Sequence, residues 1–213
     1  MEKAIRESCH AAASLLNEYA PVEISCERYA EREPHPTGQD AFTVRARLPW
    51  QRTAQTRLMI EITRDEKILK PARRRSIIHG YGEPLHAGVR VYALEEIVAE
   101  KLRAILQQAE ALEKRGWARN RARDYYDLWR ILSSFGKKLD LSGFTAFLHD
   151  KCAVRSVSFR GPEDFFPPAI LAQVRSTWEQ SLGPLVPGLP SFTTVVGELQ
   201  PQILRLLAQK ESR

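Results

Sequence analysis

Hydrophobic and polar residues alternate in three segments of the first third of the chain, which are 22–31, 41–50 and 57–66. In the second segment Phe42 and Val44 point to one side of an extended backbone. Arg45 and Arg47 point to the other side, and Glu61 falls on the polar side of the third segment. The alternation predicts an antiparallel sheet of three strands with one buried face and one polar face. Arg45, Arg47 and Glu61 would share the polar face.

In the N-terminal segment and in the second half of the chain, apolar residues recur at the spacing of an α-helix. The predicted helices cover 2–19, 93–113, 120–135, 142–151, 163–182 and 192–209. Breaks fall at Gly136, at Gly161-Pro162 and along the proline-rich stretch 183–190. The pattern predicts an α+β fold in which a sheet-bearing subdomain over 1–90 precedes a helical bundle over 91–213.

The composition is that of an ordinary globular protein, with 43% hydrophobic and 27% charged residues among 213. No apolar run approaches the roughly 20 residues that cross a bilayer, and the N-terminal residues lack the apolar core of a signal peptide. The three cysteines are far apart and lack metal-ligand spacing, which favours free thiols in a reducing compartment over a zinc site. We therefore expect a cytoplasmic protein with no membrane partner.

A net charge of +6 permits a polyanionic partner without requiring one. Basic residues cluster over 70–75 and over 114–123, and Trp117 lies within the second cluster as a potential stacking platform. The candidate RNA contacts in these clusters are Arg73, Arg74, Arg75, Lys114, Arg115 and Arg119. The alternative is that both clusters are solvated loops, because short basic runs are common.

Lys101 is placed unusually within the predicted helix that contains 94-LEEIVAEKLRAIL-106. At 100° per residue it falls near the centre of the apolar stripe rather than on the charged face. Burying an ammonium group without a partner is costly, so an inward lysine normally reaches a carboxylate, a phosphate or a cleft. The alternative is that the aliphatic stem packs on the stripe while the ammonium group reaches water.

The next predicted helix, 121-RARDYYDLWRILSSF-135, carries two aspartates. Asp124 lies on the shoulder of its apolar stripe, whereas Asp127 is expected on the polar side. Two helices joined by a short loop usually pack antiparallel, which brings Lys101 and Asp124 together. Such a pair could belong to an active site or could be a partly buried salt bridge between the helices, and the pattern alone does not choose.

These segments, with 58-LMIEITRDE-66 and 76-SIIHGYGEPLHAGVRVYAL-94 before them, closely resemble the AbiEii/AbiGii toxin family of nucleotidyltransferase-like proteins. That family includes toxins of type IV toxin–antitoxin systems and is related to the MenT tRNA-modifying toxins. The resemblance covers most of the chain. It is strongest from Leu58 to Leu132, where an inward lysine is followed about twenty residues later by Arg-Asp-x-x-Asp-Leu-Trp.

The resemblance implies a partial nucleotidyltransferase fold with an antiparallel or mixed sheet. It also implies an enzyme that transfers a nucleotide from a triphosphate to an RNA hydroxyl, with the tRNA 3′ end as acceptor. Glu61 would be a ligand of Mg²⁺, and Lys101 would neutralise the triphosphate. Asp124 would orient Lys101 or help activate the attacking hydroxyl. Arg45 and Arg47 are further candidates for nucleotide contacts, and a cognate antitoxin is an expected partner.

The family's first motif, Gly-Ser followed by Asp-x-Asp, is missing from this sequence. A single carboxylate does not assemble a two-metal centre, so we expect this chain to be a poor catalyst or none. One hypothesis places the motif upstream of Met1 in a longer, active protein. A second is a catalytically inert short relative that binds RNA, a nucleotide or an antitoxin. A third is an interaction protein whose basic clusters bind nucleic acid without any nucleotide.

Overall fold

The computed structural model describes residues 1–31, 39–63, 67–78, 80, 82 and 86–208. The chain forms two compact units, Met1–Glu66 and Lys67–Arg213. The first contains one helix and a three-stranded antiparallel sheet, and the second contains a two-stranded antiparallel sheet followed by α-helices. The predicted α+β fold with C-terminal helices is confirmed.

The first unit packs one amphipathic helix against one face of its sheet. Its elements are α1 (Glu2–Leu16), β1 (Glu23–Arg28), β2 (Asp40–Arg47) and β3 (Thr56–Ile62), with the strands in the order β1-β2-β3. Cys9 of α1, Cys26 of β1 and Phe42 of β2 form the buried centre. The predicted third strand runs to 66, but β3 ends at Ile62 and residues 64–66 lie outside the described part of the chain.

The strand register confirms the predicted polar face of this sheet. Ala41 pairs with Glu61 and Arg45 pairs with Arg57, so Arg45, Arg47 and Glu61 lie on one side. Glu61 is four residue pairs from Arg45 along the strands, which corresponds to about 13 Å at a rise of ~3.3 Å per residue. Glu61 and the two arginines therefore share a face but occupy different parts of it.

The second unit begins with a hairpin that the sequence pattern did not reveal. Strand β4 (Arg73–Ser76) pairs antiparallel with β5 (Gly88–Val91), whereas the sequence pattern predicts a basic cluster or a solvated loop over 70–75. The division between the two compact units falls after Glu66, and the subdomain boundary predicted at 90/91 stays a prediction. The physical reason for the division after Glu66 is that the segment before β4 is held by the helices, since the amides of Leu69 and Lys70 donate to the Glu96 carboxylate.

Five α-helices make up the remainder of the described second unit. They are α2 (Leu94–Arg115), α3 (Ala122–Phe135), α4 (Phe144–Ala153), α5 (Pro168–Leu182) and α6 (Phe192–Ala208). Tyr125 and Trp178 are buried between them, and the Tyr125 hydroxyl donates to the Phe165 carbonyl at 2.7 Å. Among the described residues, no helix combines the length and apolar character that would carry it through a membrane.

A short connection turns the chain from α2 into α3. Gly116 ends α2 with φ of 73°, a left-handed conformation that glycine adopts without the steric cost other residues incur. Asn120 Oδ1 then accepts from the Ala122 amide at 2.8 Å and satisfies one free donor at the start of α3. The connection brings the polar start of α3 beside the side chain of Lys101 on α2.

Candidate functional site

Lys101 lies between the two aspartates of α3. Its Nζ is 3.1 Å from Asp124 Oδ1 and 2.7 Å from Asp127 Oδ2. Arg121 Nη1 donates to the other oxygen of Asp124 at 3.0 Å. The side chains of Lys101 and Asp124 are 20% and 15% exposed, so both are largely buried yet reach solvent. These four residues, Lys101, Arg121, Asp124 and Asp127, form a charge-balanced group that we call the lysine–aspartate cluster.

The structure places Asp124 beside Lys101, as the helical pattern predicted, but the expectation for Asp127 was wrong. Asp127 was expected to point away with the polar side of α3, yet it makes the shorter contact to Lys101. Residues three apart on a helix are neighbours on its surface, so a long lysine side chain reaches both carboxylates. The i, i+3 spacing of the two aspartates was the signal in the sequence that pointed to this shared role.

The cluster keeps Lys101 charged. Burial alone would lower the pKa of the Lys101 ammonium group, but the hydrogen bond that it donates to Asp127 and the charges of Asp124 and Asp127 together outweigh it. The pKa of Lys101 is therefore raised above its ordinary value. An ammonium group that is stabilised in its charged form suits the binding of an anion better than the acceptance of a proton.

The hydrogen-bonding capacity of the cluster is not exhausted. A lysine ammonium group has three N–H donors, and two of those of Lys101 are directed at Asp124 and Asp127. No described residue accepts from the third donor, which is left for an oxygen of a bound group. Asp124 uses both carboxylate oxygens, whereas Asp127 uses Oδ2, and its side chain is 43% exposed. Asp124 is thus fixed in place, and Asp127 has an oxygen that can meet a ligand.

A second group of charges, which the sequence pattern did not reveal, is buried beneath α2. Lys151 of α4 and Glu96 of α2 have side chains only 2% and 1% exposed, and their charged atoms are 2.7 Å apart. Lys151 is also 3.0 Å from Glu100. Oε1 of Glu96 accepts from the amides of Leu69 and Lys70 at 2.5 and 2.6 Å. This network joins α2, α4 and the segment before β4, and the burial of its Lys151–Glu96 pair indicates a structural role.

Four exposed arginines lie on the β4–β5 hairpin. Arg73, Arg74 and Arg75 occupy β4, and Arg90 on β5 is directly opposite Arg74. Like charges in a directly opposed pair repel each other. No ion pair joins any of the four arginines to an acidic side chain in the described part of the chain. Arg90 was not among the predicted RNA contacts, because its position opposite Arg74 depends on strand pairing.

The second predicted basic cluster lies at the end of α2 and in the connection after it. Lys114 forms an ion pair with Glu110, which offsets its charge. Arg115 and Arg119 are exposed, and Trp117 between them is 59% exposed. Trp117 is thus accessible for stacking, as the sequence suggested. RNA binding by Lys114, Arg115 and Arg119 stays a prediction.

The candidate residues of the first unit form exposed ion pairs. Nε of Arg47 donates to Glu23 at 2.9 Å, and Arg45 lies 3.8 Å from Glu31. Glu61 is exposed at the other end of the polar face. Arg45, Arg47 and Glu61 belong to the first unit, whereas Lys101 and Asp124 belong to the second. The roles predicted for Arg45, Arg47 and Glu61 stay predictions.

The described residues do not supply the donors for the expected metal centre. They contain no group of three or more histidine, cysteine, aspartate or glutamate side chains arranged to hold a metal ion. The carboxylates of the lysine–aspartate cluster are already neutralised by Lys101 and Arg121. They do not fit a two-cation site, so Mg²⁺ and its ligand Glu61 stay predictions.

The fold and the cluster define an α+β protein in which a small antiparallel sheet precedes a helical unit with a lysine held by two aspartates. A family model described as nucleotidyl transferase AbiEii toxin of type IV toxin–antitoxin systems matches residues 2–203. The chain belongs to this family, and the resemblance found in its sequence is confirmed. No curated protein and no solved structure matches the chain.

Proposed function

We propose that this protein binds a nucleoside triphosphate through Lys101 and takes part in the transfer of its nucleotide to an RNA hydroxyl. The observation that carries the proposal is the free N–H donor of Lys101, held in place by two aspartates in a largely buried position. A charged donor in such a position binds a phosphate oxygen more strongly than one in bulk water. The tRNA 3′ end is the acceptor that the family resemblance suggests.

Each residue of the lysine–aspartate cluster would have a separate role. Lys101 binds and neutralises a phosphate oxygen, and Asp124, itself held by Arg121, positions the ammonium group. The RNA hydroxyl oxygen attacks the α-phosphorus, the bond to the departing pyrophosphate breaks, and the hydroxyl proton leaves. Asp127 is the better proton acceptor of the two aspartates, because it is more exposed and its Oδ1 carries no hydrogen bond to a described residue.

The hairpin arginines are the most suitable RNA contacts in the described chain. Arg74 and Arg90 repel each other across the strands, so a phosphate between or beside them would relieve that repulsion. Arginine also binds phosphate oxygens with two parallel N–H groups, which lysine cannot do. We propose that the hairpin contacts the RNA backbone and carries no base specificity.

Nucleotide binding by Lys101 variants tests the proposal. Equilibrium dialysis with each common ribonucleoside triphosphate would measure binding to the native protein, Lys101→Met, Lys101→Arg and Lys67→Met. Lys67 is a matched control, because it is an exposed lysine of the same unit that pairs with a single aspartate. Loss of the Lys101 charge should lower the affinity by at least about tenfold. Lys101→Arg should retain part of the affinity, and Lys67→Met should bind as the native protein does.

Two results would contradict this proposal. If no triphosphate binds the native protein, the chain does not handle nucleotides. If Lys101→Met binds normally and only unfolds more easily, the cluster is a salt bridge between helices and the site assignment fails. Incorporation of label from an α-³²P-labelled triphosphate into RNA would then test transfer itself, with Asp127→Asn expected to lower the rate more than the affinity.

A second candidate function is an RNA-binding module that uses no nucleotide. It is favoured by the four hairpin arginines, which form no ion pair with a described residue. Binding of labelled tRNA would be measured across a salt series with and without a triphosphate. RNA binding that falls steeply with salt and does not respond to the triphosphate would favour this module. RNA binding that the triphosphate changes would favour the transferase.

A further inference from the structure

A groove in the second unit that none of the lysine–aspartate cluster residues lines has no role in the function proposed above. It encloses about 900 Å³ between the C-terminal half of α2 and the segment 156–170. Leu106, Val157, Phe159 and Ile170 form an apolar floor and are themselves nearly buried. Its volume is at the upper end of the range of about 300–1,000 Å³ found for ligand-binding cavities.

The rim of the groove is acidic, in contrast with the chain as a whole. Glu110, Glu113, Glu163 and Asp164 line it, whereas Arg160 is the one basic residue among the lining residues. The full chain instead has an excess of basic residues, with a net charge of +6. Glu110 is offset by Lys114, but Glu113 and Glu163 are exposed and form no ion pair with a described residue. The groove therefore favours a cationic occupant.

One wall of the groove is an extended segment whose backbone is available for pairing. Val157 and Phe159 are buried while Ser158 and Arg160 are exposed, an alternation typical of a β-strand. Ser158 and Phe159 make no backbone hydrogen bond to another residue in the described ranges. Unpaired backbone donors and acceptors beside an apolar floor suit the addition of an extended peptide.

A turn directs this wall along the groove. After α4, the Ser156 amide donates to the Ala153 carbonyl at 3.0 Å and the Val157 amide to the Cys152 carbonyl at 3.1 Å. This is the Schellman pattern of helix ends, with Ser156 at φ of 54° in the left-handed position that glycine usually occupies. The hydrogen bonds define where the extended segment begins, so its edge has a determined direction before any partner binds.

We propose that this groove binds an extended peptide segment of a partner protein in which apolar and basic side chains alternate. The apolar side chains would enter the floor, the peptide backbone would pair with one edge of the segment that contains Ser158 and Phe159, and the basic side chains would meet Glu113 and Glu163. Charge complementarity selects a cationic segment, and the unpaired backbone selects a peptide over a small organic cation. This inference does not depend on nucleotide transfer.

Fluorescence anisotropy with defined peptides tests the proposal. The probe is a labelled peptide in which lysine and valine alternate. Two peptides serve for comparison. One has the same composition with all lysines before all valines, and the other alternates glutamate and valine. The alternating lysine peptide should bind best, and its affinity should fall with rising salt. The Glu113→Lys/Glu163→Lys variant should weaken it by about tenfold.

A matched control separates the groove from general charge attraction. Glu179→Lys changes an exposed acidic residue on α5 that does not line the groove, and it should leave peptide binding unchanged. No binding of the alternating peptide, equal binding of the block peptide, or equal weakening by Glu179→Lys and Glu113→Lys would each overturn the proposal. Light scattering would measure self-association of the chain. Self-association that the Glu113→Lys/Glu163→Lys variant abolishes would also overturn the proposal, because a second copy of the chain would then occupy the groove.

Discussion

Replacing Lys151 by methionine is expected to lower the free energy of unfolding of the second unit by about 3–5 kcal/mol. Methionine has a similar length and is apolar, so the change removes the ammonium group without opening a large cavity. The charge is what matters, because Lys151 is 2% exposed and lies 2.7 Å from Glu96 and 3.0 Å from Glu100. Without it, the carboxylate of Glu96 stays buried and has only the amides of Leu69 and Lys70 as described partners.

Lys101→Met provides the comparison that tests the reasoning. Lys101 also pairs with two carboxylates, but its side chain is 20% exposed and that of Asp127 is 43% exposed. Solvent screens such a pair, so its loss should cost about 1 kcal/mol. Urea unfolding followed by tryptophan fluorescence would measure both variants, because Trp178 is buried within the second unit and reports on its packing.

A double variant distinguishes a stranded charge from lost packing. In Lys151→Met/Glu96→Gln the buried charge is removed along with its partner, and glutamine can still accept the two amide hydrogen bonds. This double variant should recover about 1–2 kcal/mol relative to the sum of the single changes. The reasoning is refuted if Lys151→Met costs no more than Lys101→Met, or if the two single effects simply add.

Three further predictions follow from other parts of the structure. Arg74→Ala and Arg90→Ala should each weaken RNA binding and reduce the slope of log affinity against log salt by about 1. The control Lys3→Ala should change neither the affinity nor the slope. Unchanged slopes in the two arginine variants would exclude the hairpin as a phosphate contact. Burial raises the pKa of the Cys152 thiol to about 11, so Ellman's reagent should not label it in the folded protein at pH 8. Because that pKa is raised, the contribution of Cys152 to stability should be complete below about pH 8.5 and lost as the pH rises towards 11, which urea unfolding at several pH values would show. Ser156→Gly should raise the free energy of unfolding by about 1 kcal/mol, since glycine relieves the positive φ; a decrease would show that the serine is not strained.

The periodicity of the sequence predicted the three-stranded sheet and the helices, but not the β4–β5 hairpin. Alternation over β2 and β3 placed Arg45, Arg47 and Glu61 on one face, which the register confirmed. Helical spacing placed Lys101 on the inner side of α2 and Asp124 beside it. These features are local, because the direction of a side chain from a helix or strand depends only on its position in the repeat.

Only the tertiary structure revealed which side chains meet across elements. The position of Arg90 opposite Arg74 depends on the pairing of β4 with β5, and the contact of Lys151 with Glu96 depends on how α4 packs against α2. A repeat identifies the face of a residue but not the partner that covers it. The acidic groove likewise depends on where segment 156–170 lies along α2. Contacts between residues distant in sequence are decided by packing the whole unit around one core, and no local pattern contains that information.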